Sequence, residues 1–287
     1  MPTKQLKWTY LLVLALIWGS SFILIKKGLV GLSPYQLGAL RIIFTSLFLL
    51  IIGFKSLTEI KQFQWKYIAI TALFGTFIPA FLFAIAETKV SSSVCSILNS
   101  LTPLNTLLIG ILAFGMGFKR SQFIGVLIGL IGTGILIFNG KQESSENYTY
   151  AVLVIIASVC YALNVNLIKK YLSDVKPLSI TTGNFTVMLI PALVILFSTN
   201  FIEIAPLQET QHSMLFILIL GIAGTGVANI IFFKLIQMSS PVFASSVTYL
   251  IPIVAFFWGL LDNEMLTLFQ FFGAFIILVG VYLANKK

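Results

Sequence analysis

Apolar residues run along this chain in long blocks, separated by short polar breaks that hold most of the charges. The blocks fall at approximately 8–26, 35–53, 67–86, 91–115, 121–138, 149–168, 177–198, 213–233, 241–260 and 266–284. Most are about 18 to 22 residues long, enough to cross ~30 Å of hydrocarbon at 1.5 Å per residue. The pattern predicts ten transmembrane helices and leaves no segment for a separate soluble domain.

The fourth block carries a second pattern. Ser92, Ser96, Asn99, Pro103, Thr106 and Gly110 recur every three or four residues and form one polar or small stripe on an apolar helix. Adding 149 to each number gives Pro241, Ser245, Thr248, Pro252, Ala255 and Gly259, the same kind of stripe in the ninth block. Other blocks pair likewise. Ile25-Lys-Lys-Gly-Leu29 matches Ile168-Lys-Lys-Tyr-Leu172 at an offset of 143, and Pro34 matches Pro177. Gly75 and Thr76 match Gly224 and Thr225 at 149, with Asn229 one residue past the equivalent of Pro79. Gln122, Gly125 and Gly132 match Gln270, Gly273 and Gly280 at 148.

Spans one to five therefore repeat as spans six to ten, residues 1–145 and 146–287, joined by a linker around Lys141 to Tyr148. An odd number of spans per repeat sends the second copy into the membrane from the opposite face. The expected fold is an all-α integral membrane protein of two inverted-topology five-helix repeats. Lys4 and Lys7 precede an apolar block as in a signal peptide, but the twin of span one at span six argues against a cleaved leader. The glycines of span five suit close helix packing rather than a nucleotide loop, since no strand precedes them. The sequon Asn147-Tyr-Thr149 is read as a chance match beside the membrane.

Composition agrees: 58% of residues are hydrophobic and 9% charged, against roughly 25% charged in ordinary globular chains. The net charge of +9 is explained by topology, not by a nucleic-acid partner. With the N-terminus in the cytoplasm, Lys4, Lys7, Lys55, Lys61, Lys66, Lys119, Arg120, Lys169, Lys170, Lys176, Lys234, Lys286 and Lys287 lie inside, and only Lys26, Lys27, Lys89 and Lys141 outside. That bias places both termini in the cytoplasm and the chain, multi-pass, in the cell (inner) membrane. Cys95 and Cys160 fall within spans and read as small packing residues.

Inverted repeats supply two nearly equivalent states, and substrate is expected at interrupted segments in corresponding positions of the halves. Pro79, Pro103 and Pro252 are the candidate hinges. Candidate substrate contacts are Asn99, Thr102 and Asn105 in span four and Ser245, Thr248 and Tyr249 in span nine. Trp18 and Ser21 align with Tyr161 and Asn164 at offset 143, and Thr76 and Asn229 add spans three and eight. Any one of these could serve an interhelical hydrogen bond worth ~0.6–2 kcal/mol; the matched set favours a cavity. Arg41 is the one charge well inside a span. An unpaired charge there costs at least ~2.5–3.5 kcal/mol, which makes it a functional candidate unless it pairs with carbonyls or snorkels outward.

Trp18-Gly19-Ser20-Ser21-Phe22, Arg41, the run Ser91 to Pro103, the Gly-rich span five, Ser239 to Pro252, Asn263-Glu264 and Gln270 to Gly280 carry a resemblance. Over essentially its whole length the chain resembles the EamA-type, ten-span branch of the drug/metabolite transporter superfamily. The resemblance implies a central cavity lined by spans 1, 3, 4, 6, 8 and 9, with 5 and 10 peripheral, and export of small metabolites such as amino acids. One departure is Gly117-Phe118-Lys119 where that family often has Gly-Glu; Glu264 fits in the second half only.

No Asp or Glu sits mid-span: Glu87 lies at the outer end of span three, and Asp262 and Glu264 lie in an outer loop. Proton coupling usually needs a carboxylate tuned by burial, so a facilitator or weakly coupled carrier of neutral or zwitterionic solutes is expected. Trp18, Tyr161 and Tyr249 would suit an aromatic or apolar amino acid. No cofactor or metal is expected, and no enzyme: the only His, His212, is in a loop without metal-ligand spacing. The rival readings are a non-transporting receptor or scaffold of the same fold, and an exporter of nucleosides or drugs. The expected partners are a small-molecule substrate and the lipid bilayer, with the chain a monomer or homodimer.

Overall fold

The computed structural model describes residues 4–117, 119–138 and 148–261, together with scattered positions between 272 and 283. Among the described residues the chain is helical, with no strand. Eight helices are long and apolar enough to cross a membrane, and a shorter apolar helix, Arg120–Gly132, begins the expected fifth span. Most of the expected tenth span lies outside the described residues, as do Lys141, Asn147, Asp262, Asn263, Glu264 and Gln270.

Local chemistry sets the helix starts. Ser33 Oγ accepts from the Gln36 backbone at 3.3 Å while Gln36 Oε1 accepts from the Ser33 backbone at 2.8 Å, so the second span opens on a reciprocal cap with Pro34 just inside. Ser91 and Ser240, 149 residues apart, cap the fourth and ninth spans through the backbone N–H groups of Val94 and Phe243. At the far end of span eight, Lys169 Nζ donates to the carbonyls of Ile236, Gln237 and Ser239 at 3.2, 3.1 and 2.7 Å.

The two halves leave regular helix at corresponding depths. Span three runs Trp65–Ala72, widens into a π-helical stretch at Leu73–Phe77, and resumes as Ile78–Ala86. Span eight runs Gln208–Ile219, widens at Leu220–Val227, and resumes as Ala228–Met238. Span four breaks between Ser92–Asn99 and Thr102–Leu112. Span nine passes from Pro241–Ser245 through a tight 3₁₀ turn, Ser246–Tyr249, into Ile251–Leu261. Pro79, Pro103 and Pro252 each stand at the second residue of the resumed α-helix, directly after the irregular stretch. The irregular stretches lie just N-terminal to the prolines, the side on which a proline disturbs a regular helix.

Packing follows the same exchange of halves. Span two packs on span seven; span two also meets the π-stretch of eight, as seven meets three; span one lies on nine, as six lies on four. Leu11, Leu14, Ile168, Leu172, Phe233 and Ile236 form an apolar cluster on the side where residue 4 lies. Phe22, Phe83, Ala86 and Val154 form another toward the opposite side. Ile51, Leu112, Ile190, Val194 and Leu215 stand exposed, as suits side chains whose solvent is lipid. The glycine seam of span five is a true contact: a Cβ on Gly280 would sit 2.5 Å from Gly129 N and 2.7 Å from Gly125 O.

Candidate functional site

Where the irregular stretches face one another the helices leave a cavity enclosing about 830 Å³ of space free of protein atoms, its opening included. Its wall draws equally on both halves, and mostly on paired positions. Trp18 faces it with Tyr161, Ser21 with Asn164 and Phe22 with Val165, at offset 143. Gly75 pairs with Gly224, Thr76 with Thr225, Phe83 with Phe232, Asn99 with Thr248 and Thr102 with Ile251, at offset 149. Ile25, Arg41, Asn229 and Ser245 complete the lining without a paired partner in it.

On the span-eight side the wall is tied down. A π-stretch shifts helical hydrogen bonds out of register and frees carbonyls for other donors. Trp18 Nε1 donates to Gly224 O at 2.9 Å, and Thr45 Oγ1 to Gly221 O at 2.8 Å. Thr225 Oγ1 donates to Leu220 O at 3.0 Å and accepts from Arg41 Nε at 2.8 Å. Arg41 is thus pinned at the neck of its guanidinium, with the end of the side chain facing the cavity.

On the span-three side the wall is open. Thr76 Oγ1 and Asn164 Oδ1 are buried and have no partner. Gly75 makes this possible, because a Cβ there would lie 2.4 Å from the Asn164 amide. A buried acceptor left unpaired costs about 1–3 kcal/mol, so these two atoms are a polar weak point in the wall. Nearby, Glu87 Oε2 accepts from Ser92 Oγ at 2.8 Å while Oε1 is buried and unpaired. Glu87 lies within electrostatic reach of Arg41 and Lys26 but does not line the cavity.

Of the residues singled out from sequence, Trp18, Ser21, Arg41, Thr76, Asn99, Thr102, Tyr161, Asn164, Asn229, Ser245 and Thr248 all meet at this cavity. Two do not. Asn105 lies beyond the break in span four and donates through Nδ2 to Ser158 Oγ at 2.8 Å. Tyr249 ends the 3₁₀ turn, which advances 120° per residue instead of 100° and rotates it off the stripe. Its ring packs on Gly129, its hydroxyl donates to Val126 O at 3.2 Å, and it is fully buried. Sequence reasoning passed over Thr225, Phe83 and Phe232. The repeat offset, applied to Thr76, would have found the first; nothing marked these two phenylalanines among 26.

The model of the EamA-like transporter family matches residues 6–138 and again residues 149–286. The chain belongs to that family. It is therefore a membrane transporter and not an enzyme, with a bilayer around it and a small-molecule substrate. Several proteins named as transporters or efflux pumps resemble it along nearly their full length. The uncharacterised inner membrane transporter YedA of Escherichia coli (strain K12) is 26% identical over 283 residues, covering 96% of this chain and 89% of YedA. An uncharacterised transporter of Archaeoglobus fulgidus is 27% identical, covering 95% of this chain and 94% of its own. A probable amino-acid metabolite efflux pump of Salmonella typhimurium is 24% identical, covering 95% and 92%. One crystal structure superposes with a TM-score of 0.73 at 16% identity, covering 99% of this chain and 97% of that one, a likeness of fold.

Proposed function

We propose that this EamA-like transporter sits in the inner membrane and exports small neutral or zwitterionic metabolites, amino acids first among them, by alternating access. The observation that carries the reading is the cavity at the meeting of the halves, with unpaired buried acceptors on Thr76 and Asn164 that a solute's N–H groups would satisfy. Trp18, Tyr161 and Phe232 offer ring faces for an apolar side chain. The repeats would exchange conformations by rocking about an axis in the membrane plane, with Pro79, Pro103 and Pro252 at the joints. The relative named as a probable amino-acid metabolite efflux pump lends support. Among the described residues no acid lines the cavity, which supports a facilitator or a carrier only weakly coupled to protons.

Counterflow of labelled amino acids in proteoliposomes, with and without a pH gradient, tests this. Saturable exchange indifferent to the gradient and lost in Asn99→Ala and Tyr161→Ala is the expected result. Exchange that needs the gradient and stops in Glu87→Gln would remove the uncoupled mechanism. No exchange of amino acids, nucleosides or drugs would favour a non-transporting protein of the same fold.

A further inference from the structure

We propose that Arg41 anchors a carboxylate, so that the cavity takes organic carboxylates, with or without an amino group, and rejects their amides. Among the described residues, Arg41 is the only charged one that lines the cavity. Its Nε is spent on Thr225 Oγ1 at 2.8 Å, and Thr225 is itself fixed by Leu220 O at 3.0 Å. The Thr45 hydroxyl, with one hydrogen to give, stands 2.7 Å from the Arg41 carbonyl and 2.8 Å from Gly221 O. The neck of the Arg41 side chain is therefore attached to the π-stretch of span eight.

The far edge of the guanidinium is left over. Among the described residues its two terminal nitrogens have no hydrogen-bond partner and no carboxylate forms an ion pair with them. Glu87 is the acid within electrostatic reach, and it is engaged elsewhere by Ser92. Two parallel N–H groups in a plane match the two oxygens of a carboxylate, and a site away from bulk water strengthens that pairing. A cation in such a place that forms no ion pair among the described residues is the complement of an anionic ligand. The unpaired acceptors Thr76 Oγ1 and Asn164 Oδ1 can receive an amino group, but they carry no charge and make it an accessory. Tyr161, also within electrostatic reach of Arg41, lines the same cavity.

This inference rests on the transporter reading only in taking this cavity as the substrate site. The test is therefore a binding measurement that needs no turnover: ligand-dependent melting of the purified full chain in detergent. The probes are the common amino acids, the corresponding acids lacking the amino group, and the corresponding amides. The expected result is that amino acids and their deaminated acids raise the melting temperature with apparent Kd values within about tenfold of each other, while the amides do not. Arg41→Gln should weaken carboxylate binding by at least about tenfold, and Arg41→Lys should restore part of it. Amides binding as well as acids, no carboxylate binding at all, or unchanged affinity in Arg41→Gln would each overturn the proposal. The comparison of acid with amide on the unsubstituted protein stands even if a variant misfolds. Protein that binds carboxylates yet fails counterflow would sink the transport reading and leave this one intact.

Discussion

Arg41 in span two and Asn184 in span seven occupy equivalent positions, 143 residues apart, yet have opposite fates. Arg41 faces the cavity with most of its donors unused. Asn184 is buried against span three, and in the orientation that satisfies it the amide nitrogen donates to Ile180 O, Ile68 O and Thr71 Oγ1 at 3.2, 3.0 and 3.0 Å. The walls they face differ in the reverse sense. The Gly-Thr pair of span eight is saturated, by Trp18 and Arg41, while that of span three leaves Thr76 and Asn164 bare. The family model matches the chain twice, at residues 6–138 and 149–286. The two walls of the cavity nonetheless differ: the one at span eight holds a fixed cation, the one at span three carries unpaired neutral acceptors, and together they suit a molecule with two unlike poles.

Substitutions can break that division, and the largest effect should come at Thr225. Thr225→Val deletes the acceptor that holds Arg41 Nε, and a hydrogen bond to a charged group is worth about 1.5–3 kcal/mol. Carboxylate affinity, read by ligand-dependent melting, should fall about tenfold or more; unchanged affinity would show that the pin is dispensable. Asn164→Ala acts on the other pole. It removes a buried unpaired acceptor that costs about 1–3 kcal/mol, so the empty protein should melt no lower than the parent. Binding of α-amino acids should nevertheless weaken severalfold, while acids without the amino group hold theirs. Equal losses for both ligand classes would place Asn164 elsewhere in recognition. The smallest effect on ligand is expected at Asn184→Leu, which should lower stability by about 1 kcal/mol through its lost hydrogen bonds and leave every Kd unchanged.

Much of this arrangement was legible in the sequence, because hydrophobic length and a constant offset are one-dimensional signals. Eight of the ten expected spans, the glycine seam and ten of the residues now found around the cavity came from those two patterns, and Arg41 from its charge. The misses share a cause. Asn105 and Tyr249 were placed by assuming a continuous 3.6-residue helix, and both come after a local change of pitch: the break after Asn99 and the 3₁₀ turn at Ser246–Tyr249. Prolines announced that spans four and nine were interrupted, but not how far each interruption rotates the next turn of helix. The π-stretches left no comparable mark, since Leu-Phe-Gly-Thr-Phe and Leu-Gly-Ile-Ala-Gly-Thr-Gly-Val suit an ordinary apolar helix almost as well. The satisfied or bare state of each Gly-Thr pair depends on partners from distant spans and has no local trace at all.

The burial of Tyr249 bears on motion as well as on lining. Its ring packs on Gly129 and its hydroxyl donates to Val126 O, so the joint of span nine is clasped to a helix that supplies none of the described residues lining the cavity. Gly129 in turn abuts Gly280 with no side chain between the backbones. A swing of span nine must therefore carry the fifth helix as a passenger and slide it along a seam without lubricating side chains. The periphery is then part of the moving mass, and a bulky residue at Gly129 should act as a brake on turnover while leaving the binding surface untouched.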